Sequence, residues 1–134
     1  MTAPQLVAAA LYEALNAGDF AAVLALLAPD VLGQISDLAP PHTEHRGTDA
    51  LVDHLRRRRA LGEGSYRIDG WSFEDHPKLD DFAVALVCHS AIFAGERVSS
   101  ETMHVLRIDD DRIVLLGASL PAGQVDGRWF GLVA

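Results

Sequence analysis

The sequence predicts an α+β domain, three N-terminal helices packed against a curved, mostly antiparallel sheet. Three observations predict it. Apolar residues recur at helical spacing in two segments separated by Asn16-Ala17-Gly18-Asp19. A third helical segment follows a polar stretch, and from Tyr66 onward the period falls to two. The 134 residues hold no linker, repeat or low-complexity segment, so residues 1–134 make one domain. A chain of this length buries roughly two thirds of its unfolded surface.

The elements follow in order. Thr2 and Gln5 have capping-box spacing and Pro4 is tolerated in a first turn, so the first helix begins at Ala3. Leu6, Ala10, Leu11, Ala14 and Leu15 give it an apolar face, and Gly18 ends it. Asp19 caps a second helix, whose run Val23, Leu24, Leu26, Leu27 stops before Pro29. A strand of about six residues is expected from Asp30. Leu38 to Gly47, with Pro40-Pro41, reads as a loop, and Thr48 or Asp49 caps a third helix to about Ala60. Gly62 and Gly64 break it. Tyr66 and Ile68 share one parity while Trp71 and Phe73 take the other, which places a bulge at Gly70. A turn at His76-Pro77-Lys78 leads into a strand from Asp81 to Phe93. Ala94-Gly95-Glu96 reverses it into Arg97 to Ile108, and Asp109-Asp110-Asp111 turns that into Arg112 to Leu120. From Pro121 no period is clear, though Trp129-Phe130 can still lie over the domain.

Composition excludes several functions. The net charge of -8 argues against nucleic-acid binding, which needs concentrated positive charge. The run Arg56-Arg57-Arg58-Arg59 forms no stripe, because four consecutive helical residues point around the whole cylinder. Cations there also suit the negative end of the helix dipole. No apolar run approaches the ~20 residues that span a bilayer. The chain opens directly into a helix without the basic and apolar regions of an export signal. The single cysteine, Cys88, permits no intrachain disulfide and fits a reducing cytoplasm.

LYEALNAGDF, the LAPDV closing the second helix, HRGTDAL opening the third and HVLRIDDDRIV near the end resemble the nuclear-transport-factor-2-like superfamily, closest to its SnoaL-like and ketosteroid-isomerase-like group. The resemblance covers nearly the whole chain in order and implies a cone-shaped fold around a small-molecule chamber. It does not imply one activity, since the superfamily includes isomerases, cyclases, dehydratases, epoxide hydrolases and binding modules. Aligned on LNAGD, the isomerase tyrosine position is Leu11, with Tyr12 about 100° round the helix. The oxyanion aspartate position is Met103, and the base position falls near Ile35 with Asp37 two residues later. The isomerase constellation is therefore lacking. Leu116-Gly117-Ala118-Ser119 stands where SnoaL-like cyclases often keep a tryptophan and a polar group, and the Arg and two Asp residues of epoxide hydrolases have no match.

The candidate catalytic residues are Asp37, Tyr12, His42 and His45. A carboxylate at an apolar pocket mouth has a raised pKa and can move protons, whereas a loop aspartate in water does neither. His42 and His45 fall short of the ligand number a zinc site needs, so no metal and no cofactor is expected. If residues 89 and 102 oppose each other, His89 and His104 share one sheet face. By analogy with the superfamily, the other face, with Leu86, Cys88, Ser90, Met103 and Val105, lines the chamber beside Leu11, Ile35 and Trp71. Ala85, Val87, His89, Ala91, His104 and Leu106 then meet solvent or a second subunit. A one-residue slip reverses that assignment. Cys88 reads as a small buried hydrophobe, Trp71 and Phe73 as core aromatics, and Asp109 to Asp111 as a hairpin turn rather than a calcium loop.

Two function classes remain. One is a cofactor-free acid–base isomerase or cyclase acting on a polyketide- or steroid-like carbonyl compound, with Asp37 as base. The other is a non-enzymatic module that binds a small apolar ligand or dimerises. The expected partners are a small apolar ligand or substrate and a second copy of the chain, with no nucleic acid and no membrane.

Overall fold

The computed structural model describes residues 1–37, 42–76 and 78–120. Helix α1 (Ala3–Ala17) begins as expected: the Gln5 N–H donates to Thr2 Oγ1 at 3.3 Å and the Thr2 N–H to Gln5 Oε1 at 3.1 Å. It ends at Gly18, where φ is 67° and an added Cβ would meet the Arg59 guanidinium at 2.8 Å. Asp19 caps α2 (Phe20–Leu26), accepting the Ala22 N–H. Strand β1 (Leu27–Ile35) starts before the expected Asp30, because Leu27 and Ala28 are buried where the sheet pairs Leu27 with Ile113.

Strand β2 (Thr43–Arg46) lies inside the expected loop. It pairs antiparallel with β1, Ile35 opposite Thr43 and Leu32 opposite Arg46. Its polar residues carry no apolar alternation, which is why the sequence hides it. Helix α3 (Thr48–Arg59) is preceded by Gly47, with φ 85° and no side-chain cap, in place of the expected Thr48 or Asp49. A turn, α4 (Leu61–Gly64), leads into β3 (Arg67–Glu74), β4 (Phe82–Phe93), β5 (Glu96–Asp109) and β6 (Arg112–Ser119). Ala94-Gly95 and Asp110-Asp111 turn the two hairpins with positive φ throughout. The ladder shifts between Ile68 and Gly70, placing the bulge where the parity change predicts it.

The six strands form one curved, unclosed sheet in the order β2-β1-β6-β5-β4-β3, antiparallel except for β1 with β6. Ala8, Leu11, Tyr12 and Leu15 of α1 join Ala83, Ala85, Val87 and Leu106 of the sheet in one core. The Asn16 amide locks helix to sheet, its Nδ2 donating to the Ile68 carbonyl at 2.9 Å and its Oδ1 accepting the Ile68 N–H at 2.8 Å.

The observed register corrects the expected sheet faces. His89 opposes Ser100 and Val87 opposes Thr102, so the β4–β5 register sits two residues from the expected one and keeps its parity. His89 and His104 do share a face, but it is the inner one, with Ala85, Val87, Ala91 and Leu106. Leu86, Cys88, Met103 and Val105 point away from the helices and are half-buried. Ser90 shares their parity and is fully buried, accepting from Arg97 Nη1 at 2.8 Å. The physical reason lies in side-chain size: helix α1 packs closely over the alanine-rich parity of β4, leaving Val84 and Leu86 outside. Trp129-Phe130 lie outside the described residues.

Candidate functional site

The four arginines that close α3 each take a different direction. Arg57 pairs with Asp53 one turn back, Arg56 lies 4.3 Å over the Phe20 ring, and Arg59 Nε donates to the Leu15 carbonyl. Arg58 turns inward. It falls on the helix stripe of Leu51 and Leu55, and both its terminal nitrogens grip Asp37: Nη2 to Oδ1 at 2.6 Å and Nη1 to Oδ2 at 3.0 Å. Asp37 is 2% exposed and Arg58 5%.

Around this pair the inner face assembles a polar cluster. Thr102 on β5 donates to Asp37 Oδ2 at 2.8 Å, and its hydroxyl also lies 2.9 Å from His89 Nε2. His89 Nδ1 lies 3.1 Å from the Tyr66 hydroxyl, which in turn accepts from Arg58. Two residues along from Thr102, His104 places Nδ1 3.0 Å from the Tyr12 hydroxyl. Its neighbours across the ladder are Ala85 on β4 and Ala118 on β6, so small side chains flank the imidazole. Trp71 lies over Tyr12 with ring centroids 5.2 Å apart.

The electrostatics contradict the expected raised pKa of Asp37. Burial alone would push the carboxyl up, but the Arg58 charge and hydrogen bonds, with help from His104 and Thr102, hold it well below the usual carboxylate range. An ionised, fully engaged carboxylate is a poor proton acceptor. The imidazoles behave differently. Burial holds His89 near about 3 and His104 near about 4, the Arg58 charge adding to the depression of both. Both rings are neutral at pH 7, and burial keeps the Tyr12 phenol protonated far into alkali. His104 Nε2 and Arg58 Nε are buried and make no hydrogen bond among the described residues. Neutral His104 can therefore use Nε2 as acceptor or donor, depending on which way its bond to Tyr12 runs.

The structure brings two of the four sequence candidates, Asp37 and Tyr12, into this cluster. His42 and His45 stay outside it. His42 is exposed and lies 3.0 Å from Ser36 Oγ, at a cavity of about 250 Å³ shared with Gln34, Ile35, Thr43 and Glu44. His45 is half-buried, with its ring centroid 4.5 Å from that of His54 on α3. Leu11 packs in the core, and Ile35 is buried at the end of β1. On the outer face, Cys88 Sγ is 3.9 Å from Glu101, and burial pushes its thiol up. Met103, aligned with the oxyanion aspartate, also points outward, leaving Thr102 and His104 as the inward residues of that stretch.

Sequence reasoning missed Arg58, Thr102 and Tyr66 and placed His89 and His104 on the wrong face. The signal for Arg58 was present in the spacing Leu51, Leu55, Arg58, a helical stripe that ends in a charge. Among the described residues no cluster of three His, Cys, Asp or Glu could hold a metal ion, and no helix is long and apolar enough to cross a membrane.

Residues 8–116 match the model of the SnoaL-like domain. A Xanthomonas campestris protein of unknown function with a cystatin-like fold superposes with a TM-score of 0.77 at 21% identity, covering 97% of this chain and 99% of that one. A proposed polyketide cyclase of the same species gives 0.74 at 18% identity, with coverage of 98% and 97%. An NTF2-like protein of unknown function from Burkholderia pseudomallei gives 0.74 at 22%, with coverage of 90% and 92%. At these identities the likeness concerns the fold. No curated protein matches the chain.

Proposed function

The chain belongs to the SnoaL-like domain family, and from that premise we propose that it is a cofactor-independent acid–base enzyme, an isomerase or cyclase acting on a small polyketide- or steroid-like carbonyl compound. His104 carries the proton in this reading, and Asp37 does not. The observation that carries it is the buried, neutral imidazole of His104, with Tyr12 on Nδ1 and no described partner on Nε2. With Nδ1–H donated to Tyr12, Nε2 holds a lone pair. It takes a proton from the carbon next to the carbonyl, the C–H electrons pass to the carbonyl oxygen as an enolate, and the imidazolium returns the proton at a second carbon. Tyr12, accepting from Nδ1, holds the ring in that tautomer. His42 and His45, outside the buried cluster, take no part in the chemistry of this reading.

A second reading, an apolar ligand-binding module without catalysis, is favoured by the engagement of both Asp37 oxygens by Arg58. One experiment separates the two. The intact protein is incubated in deuterated water with cyclic and polyketide-like ketones, and exchange at the α-carbon is followed by NMR. The enzyme reading expects exchange that His104→Asn abolishes while the variant stays folded. Saturable binding without exchange selects the binding module, and exchange unchanged in His104→Asn removes His104 from the chemistry.

The outward parity of β4 and β5 carries Val84, Leu86, Met103 and Val105, all half-buried. We propose that this face, and not the one read from sequence, pairs two copies in a homodimer, since a two-fold axis matches an apolar patch with itself. Sedimentation is expected to give a dimer at micromolar concentration and a monomer for Leu86→Lys. A wild-type monomer at that concentration removes the dimer. The reading places the pair in the cytoplasm, where Cys88 stays reduced.

A further inference from the structure

The protons of the buried cluster can be placed without seeing them. An ionised Asp37 only accepts, so the single proton of Thr102 goes to Oδ2 at 2.8 Å. His89 Nε2, 2.9 Å from the same hydroxyl, must then carry hydrogen and donate to it. Neutral His89 keeps a lone pair on Nδ1, so the Tyr66 hydroxyl donates there at 3.1 Å. Tyr66 in turn accepts from Arg58, which closes the circuit on Asp37. Arg58, Tyr66, His89, Thr102 and Asp37 thus form a ring in which each link has one donor and one acceptor. Burial depresses that imidazole, in keeping with a single ring proton.

The ring ends beside His104. Thr102 and His104 lie two residues apart on the inner face of β5, and Thr102 holds the Asp37 carboxylate against that face. The charged and titratable groups acting on His104 are Asp37, Arg58, His89 and, by direct contact, Tyr12. Of these only Asp37 is negative. We propose that Thr102 is a positioning residue: by donating to Asp37 it fixes the carboxylate and tempers the counter-charge that this group offers to the imidazolium His104 becomes when it takes a proton. This rests on the reading of His104 as the proton carrier. Thr102 touches no substrate and acts through Asp37. Losing its hydroxyl leaves Asp37 one donor short, concentrates negative charge toward His104 and raises the proton affinity of the imidazole.

The test is histidine NMR on the intact protein without substrate, between pH 8 and 5.5. Wild-type His89 is expected as the Nε2–H tautomer, and an Nδ1–H tautomer overturns the ring without any variant. In Thr102→Val the protonated fraction of His104 at pH 5.5 is expected to rise about tenfold, one pH unit of affinity. Thr102→Ser is expected to titrate like wild type. Should Thr102→Val not fold, Thr102→Ala deletes the same hydroxyl and reads the same titration. An unchanged His104 titration in the hydroxyl-deleted variant overturns the proposal. Because no substrate is present, that failure is separate from a failure of the proton-exchange assay.

Discussion

Arg58→Met is expected to destabilise the fold by about 3–5 kcal/mol, and Asp37→Leu by a similar amount. Each change strands a charge in a site where the side chains of Asp37 and Arg58 are 0% and 5% exposed. The pair at 2.6 Å and 3.0 Å gains its Coulomb energy only by cancelling a desolvation cost that neither partner can meet alone. Removing both charges together should therefore cost less than removing either. What the double variant loses is the acceptor for the Thr102 hydroxyl and the donor to Tyr66, about 1–3 kcal/mol for a polar group left unpaired. Urea unfolding of the two single variants and the double gives the coupling directly. Additive losses would mean that water reaches the pair and that the interior is wetter than its burial indicates.

Where the chain's instructions are local, they were legible in the sequence. The Thr2–Gln5 box, Gly18, Asp19 and the two-residue hairpin turns each act through neighbours within a few positions, and all are found where composition predicts them. The bulge after Ile68 shows as a parity change within one strand. The polar cluster is another matter. Asp37 and Arg58 stand 21 positions apart and Tyr12 and His104 92 apart, so no spacing rule joins them. The sheet faces failed for a related reason. Alternation says that Ala85 and Leu86 face opposite ways but not which side the helices cover. Analogy with the superfamily put the parity of Leu86 and Met103 toward the chamber, whereas close packing of α1 selected the other one. Strand β2 was hidden because its stabilisation is backbone pairing to β1, which leaves no mark on side-chain pattern.

Burial of so much ionisable chemistry has a consequence in acid. His54 and His89 are held near about 3, first by burial and then by the Arg58 charge, and His104 near about 4 by burial, which outweighs the opposing pull of Asp37. Unfolded, each would take a proton near pH 6.5. From pH 6.5 down to about 4 the unfolded chain thus binds protons the folded chain refuses, and stability falls as pH falls. Each histidine contributes about 1.4 kcal/mol per pH unit across that window, so the three together approach about 4 kcal/mol per unit near pH 5. Asp37 adds to the loss further down. Its folded pKa is depressed, so the stability it gives is present above about pH 4 and disappears as pH falls below that value. Against a total stability of about 5–15 kcal/mol, the acid midpoint is expected between about pH 4 and 5. Thermal unfolding by circular dichroism at half-unit steps from pH 8 checks the steepness, and His54→Gln should remove about a third of the slope. A melting temperature that stays level to pH 4.5 would show that these imidazoles take up protons inside the fold, which neither the Tyr66–His89–Thr102 chain nor the burial of His54 allows.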